Sequence, residues 1–106
     1  MWSMDKNNFG AFPTHPGAIV KDEIEYRNIS QRKLAAEIGM SPTALNEVLN
    51  GKRPVTTATA YLLEAALDIP AYALLKLQTR YDMQTLETSK PFMERLAAIR
   101  RIAAAL

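Results

Sequence analysis

From Pro16 onward, apolar residues recur three and four positions apart, and no segment shows the period-two alternation of a strand. The spacing predicts an all-α chain. A first helix starts near Pro16, since proline suits the first helical turn, and sets Ile19, Val20 and Ile24 on its inner face before fading near Arg27-Asn28. Ser30 is a cap for a second helix with Leu34, Ala35 and Ile38 inward, and Gly39 is its left-handed stop. Ser41 caps a third helix, with Pro42 in the first turn, Leu45, Val48 and Leu49 inward, and Gly51 at the end. A fourth helix opens at Thr56 or Thr57 and carries Tyr61, Leu62, Ala65, Ala66 and Leu67. Pro70 separates it from a fifth, from about Ala71 to Tyr81. Residues 83–89 read as a linker, and Pro91 opens a last helix that reaches the C-terminus. The expected organisation is an arm over residues 1–14, a five-helix domain over 15–82, and a linker with an amphipathic helix over 83–106.

Two of these helices stand out. Gln31–Ile38 and Pro42–Asn50 are joined by Gly39-Met40-Ser41, and a three-residue turn containing glycine sets two helices at a steep angle. Leu34, Ile38, Met40, Leu45 and Val48 then meet in one small core, and Ala35 is small where the helices cross. Two caps, a small crossing residue, a turn glycine and interlocked apolar stripes together describe a helix-turn-helix over residues 30–53. An ordinary helical hairpin in an all-α core is the plainer alternative.

With Leu45, Val48 and Leu49 inward, the third helix presents Pro42, Thr43, Asn46 and Glu47 outward. A recognition helix reads base edges in the major groove from its N-terminal half. Asparagine pairs with adenine, glutamate accepts from cytosine N4, and threonine touches the thymine methyl. None of these anchors a phosphate strongly, so anchoring is expected from the flanks. Gln31 sits at the start of the second helix, where free N–H groups attract an anion. Ser41 can cap and contact, and Lys52 and Arg53 follow the recognition helix within reach of the backbone. Asn50 either contacts a phosphate or only ends its helix. Glu47 either reads a base, is simply solvated, or repels phosphates and so rejects wrong sequences.

The run His15-Pro16-Gly17, then Ser30-Gln31-x-x-Leu34-Ala35, then Ser41-x-x-x-Leu45-Asn46-x-x-Leu49-Asn50-Gly51-Lys52-Arg53-Pro54-Val55-Thr56, resembles the HigA antitoxins of the Xre/Cro-repressor superfamily. Leu77-Gln78 followed by Tyr81-Asp82 resembles that group's final helix. The resemblance covers about residues 15–82. It implies a five-helix, lambda-repressor-like domain that forms a homodimer on a palindromic double-stranded DNA operator and represses its own operon. It also implies a partner toxin, an RNA-cleaving RelE-like ribonuclease. Two features depart from the family: Ala73-Leu74-Leu75-Lys76 stands where an aromatic commonly precedes the Leu-Gln pair, and a basic tail follows Ser89. An orphan regulator without a toxin, or a protein-interaction module that no longer reads DNA, are the alternative functions.

In the tail, Phe92, Leu96, Ile99, Ala103 and Leu106 are spaced as a heptad seam of little over two heptads. A helix that short is marginal alone, so the seam is expected to pack on its own domain, a dimer mate or another protein. Arg95, Arg100 and Arg101 lie largely off it, as a solvated face or as phosphate contacts.

Composition narrows the rest. A net charge of +2 in 106 residues leaves DNA affinity to the placement of a few cations. Cysteine is absent, which excludes disulfides, thiolate metal sites and a cysteine nucleophile. His15 is the lone histidine and reads as a residue at the start of a helix rather than a ligand. Asp22, Glu23 and Glu25 read as a solvated face. No glycine-rich phosphate loop and no nucleophile–base pair appear, so neither an enzyme, a cofactor nor a small-molecule substrate is expected. No apolar run suggests a signal peptide or a membrane span, and the expectation is a soluble, cytoplasmic protein.

Overall fold

The computed structural model describes residues 14–106, and the N-terminal arm expected over 1–14 lies outside them but for Thr14. The described residues form six helices and no strand: α1 (Pro16–Tyr26), α2 (Gln31–Ile38), α3 (Pro42–Leu49), α4 (Thr57–Leu67), α5 (Ala71–Glu87) and α6 (Lys90–Ala103). The chain divides into two units, one of residues 14–79 and one containing residues 80–106, with the division inside α5.

In the first unit α1 to α4 are each opened by a side chain that takes up an otherwise orphaned backbone N–H. His15 Nδ1 accepts from the Gly17 N–H at 2.9 Å, ahead of Pro16 in the first turn of α1. Ser30 accepts from Lys33 N at 3.0 Å, Ser41 from Ala44 N at 3.1 Å and Thr56 from Thr59 N at 3.2 Å. The C-termini are closed in kind. Gly39 ends α2 with φ 74°, a left-handed conformation that costs glycine nothing. Arg27 donates from Nη2 to the Leu67 carbonyl at 2.8 Å, satisfying the last turn of α4 from the end of α1.

One core holds the unit together. Val20 and Ile24 from α1 meet Leu34, Ala35 and Ile38 from α2 and Leu45, Val48 and Leu49 from α3. Val55, Ala60, Leu63 and Leu67 close it from the connection and α4, and Ala71 and Leu74 from the start of α5. Met40 packs half-buried against it. The helix-turn-helix core expected from the spacing is therefore present. α3 packs on both α1 and α2, and α2 also packs on α4.

Two expectations change. Ile19 is 41% exposed and does not share the inner face of α1; Pro16, Gly17, Val20 and Ile24 form it instead. The segment 83–89, read as a linker, continues α5 to Glu87, leaving a break at Thr88 and Ser89. Nothing between Ala71 and Glu87 stops a helix: the stretch has no glycine or proline, and Met83, Gln84, Leu86 and Glu87 are all good helix formers. Thr85 and Thr88 bond their hydroxyls back to the carbonyls of Tyr81 and Thr85.

In the second unit, Ser89 caps α6 through the Phe92 N–H at 3.4 Å. Of the heptad seam, Phe92 and Leu96 are half-buried, while Ile99, Ala103 and Leu106 are exposed. No residue of α6 is fully buried.

Candidate nucleic-acid interface

The expected reading face lies on the surface. Pro42, Thr43 and Asn46 are exposed on α3 and Glu47 is half-buried, while Leu45, Val48 and Leu49 are locked in the core beneath them. Because that inner stripe is fully buried, α3 cannot rotate without exposing leucine, and the outward set is held in place by packing.

The polar groups around this face are connected. Asn46 donates from Nδ2 to Gln31 Oε1 at 3.0 Å, which joins the middle of α3 to the first residue of α2. Asn50 donates from its own Nδ2 to the Asn46 carbonyl at 2.9 Å, closing the end of α3, and its Oδ1 accepts from Lys21 Nζ at 3.2 Å. Lys21, Asn50, Asn46 and Gln31 thus form a chain of hydrogen bonds across α1, α3 and α2. Asn50 ends its helix and holds Lys21 beside α3.

Glu47 and Arg53, expected in opposite roles, are paired. Arg53 donates from Nε at 3.1 Å and from Nη2 at 2.6 Å to the same carboxylate oxygen. Both side chains are over a third exposed, so the pair adds little stability, but it cancels a negative charge on the face that would meet phosphates. Ser41 and Lys52 are exposed; Gln31 is half-buried.

Three residues outside this face shape it. Gly17 lies where α1 crosses the end of α3, and a Cβ there would overlap the Val48 carbonyl oxygen. His15 leans its ring over Gly51, so the start of α1 and the end of α3 are held together. Gln78, buried on α5, accepts the Val55 N–H at 2.8 Å and fixes the connection that carries Lys52 and Arg53. Of the site's neighbours, Lys21 and Gln78 were missed by the sequence reading. Lys21 lies 29 residues from its partner Asn50, and Gln78 lies 23 from Val55, so no local pattern marks either.

A helix-turn-helix family model, HTH_3, matches residues 20–74, slightly over half of the chain. The chain belongs to this Xre-like HTH_3 family. Virulence-associated protein I of Dichelobacter nodosus is 32% identical over 77 residues, spanning 72% of this chain and 71% of that protein. Among solved structures, the Pseudomonas aeruginosa antitoxin HigA with the higBA promoter superposes with a TM-score of 0.66 at 29% identity, covering 70% of this chain and 82% of that one. An addiction module antidote protein of a HigA family from Coxiella burnetii gives 0.69 at 29% identity, covering 78% and 92%. HTH_3 is a helix-turn-helix family and the two solved neighbours are an antitoxin and an antidote protein, not enzymes; the fold is that of a lambda-repressor-like domain with an added C-terminal helix. Among the described residues, no helix is long and apolar enough to cross a membrane.

Proposed function

We propose that this protein is a sequence-specific double-stranded DNA-binding repressor, acting as the antitoxin of a HigB/HigA-type module. In this reading a homodimer places the two copies of α3 in successive major grooves of a palindromic operator, about 34 Å apart, and represses its own operon. Thr43, Asn46 and Glu47, with Pro42 at the tip, face base edges. Gln31, Ser41, Asn50, Lys52 and Arg53, with Lys21, lie around them toward the phosphates. A RelE-like, RNA-cleaving toxin is the protein partner.

The observation that carries the DNA part is the exposed Asn46 amide, mounted on a helix whose opposite side is wholly buried and flanked by Lys21, Lys52 and Arg53. The relative solved with its promoter supports the same reading. The test is binding of the purified protein to the DNA upstream of its own gene. Asn46→Ala should lower affinity for that duplex by about 1–3 kcal/mol and leave unrelated duplex nearly unchanged. Equal losses on both would end the base-reading assignment. Co-purification with the product of a neighbouring small gene, and suppression of that product's RNA cleavage, test the antitoxin role.

A further inference from the structure

We propose that Gln31 is a positioning residue that sets which way the Asn46 amide faces the bases, and so makes the protein prefer adenine over guanine at that contact. The inference rests on the reading face proposed above and departs from the sequence expectation, which gave Gln31 only a phosphate.

The reasoning is a count of donors and acceptors. An asparagine amide has two N–H donors on one side and one carbonyl oxygen on the other, and turning it by half a revolution exchanges them at almost no steric cost. On DNA that exchange changes what is read. Adenine offers an acceptor at N7 and a donor at N6, so it takes one N–H and the oxygen together. Guanine offers two acceptors, N7 and O6, and would take N–H donors only.

Gln31 Oε1 accepts one of the Nδ2 hydrogens at 3.0 Å. That bond holds the amino group toward α2 and leaves one N–H and Oδ1 for a partner, the pattern adenine matches. The reversed amide would set Oδ1 against Gln31 Oε1, two acceptors face to face. Asn50 donates to the main-chain carbonyl of Asn46, fixing the backbone from which that amide projects. Gln31 is itself half-buried, as the first residue of α2 directly after the Ser30 cap.

The experiment uses the full chain and duplexes selected from a randomised library by the wild-type protein. Single-base variants of the selected duplex give a preference at each position, and the position at which Asn46→Ala erases the preference is the Asn46 contact. Gln31→Ala should lower adenine-over-guanine preference at that position about tenfold. Gln31→Glu keeps an acceptor for Asn46 Nδ2 and should keep the preference, while binding all duplexes more weakly because it adds a negative charge. Thermal unfolding of each variant controls for folding. If Gln31→Ala weakens all duplexes equally and leaves the preference intact, Gln31 is a phosphate anchor and the proposal is wrong. If both Gln31 variants lose the preference, the acceptor is not what matters, and it is also wrong. If Asn46→Ala changes no preference anywhere, the base-reading assignment falls first and this proposal with it.

Discussion

Glu47 and Arg53 show how a side chain's partner changes what its type suggests. Taken singly, a glutamate on a DNA-facing helix repels and an arginine after it attracts. Joined at 2.6 Å, they present a nearly neutral pair. If Glu47 accepts from a cytosine N4, as the proposed function has it, Arg53 is released to a phosphate, and without that contact the pair stays closed. Glu47→Gln should therefore tighten binding to unrelated DNA and steepen the salt dependence, by up to about 0.9 in the log–log slope for each arginine released. Arg53→Ala should flatten the slope on the selected operator. Fluorescence anisotropy over a salt series measures both, and an unchanged slope in Glu47→Gln would mean that the pair does not restrain Arg53. At this scale the caps were legible beforehand. Ser30, Ser41 and Gly39 act on backbone within three residues of themselves, and local chemistry suffices to identify them. The Glu47–Arg53 pair was not, because it forms across the turn that follows α3.

Among the elements, α5 shows a helix serving a loop. Its Gln78 reaches into the core to accept the Val55 N–H, and that bond, with the burial of Val55, helps hold the segment between α3 and α4. Gln78→Leu would leave a buried donor without this acceptor. A cost of about 1–3 kcal/mol is expected, seen as a fall in the thermal midpoint of several degrees, with weaker DNA binding as Lys52 and Arg53 lose their support. A midpoint equal to wild type would show that Val55 finds another acceptor or water. The element pattern was legible in type and mostly in extent, since a 3.6-residue period survives in every helix. It failed over residues 83–87 of the segment read as a linker, where no glycine or proline stops the helix. It failed as well at Ile19, which sits beside the buried stripe of α1 rather than on it. The gap closed by Gly17 belongs to this scale: only the crossing of α1 over the Val48 carbonyl explains why a glycine occupies the first turn of a helix.

For the whole molecule, a net charge of +2 means that DNA affinity must come from where the cations stand. Lys21, Lys52 and Arg53 are the cations grouped around the reading face. Three phosphates neutralised per protomer predict a log–log salt slope of about −5 for a dimer on its operator. A slope near −11 would bring Arg95, Arg100 and Arg101 of α6 into the phosphate contacts, settling between the two readings of the tail. A slope near −2 to −3 would indicate one protomer bound. What the sequence by itself determined is the part written in short-range physics: helix period, caps, the turn glycine, the inward stripes, and therefore the identity of the outward residues on the recognition helix. What only the tertiary structure decided is which outward residues touch one another. The bonds Gln31–Asn46, Lys21–Asn50, Glu47–Arg53 and Val55–Gln78 span between 6 and 29 residues, each joining chain across a turn or between helices. Helix crossing geometry sets those meetings, and it depends on the whole core at once.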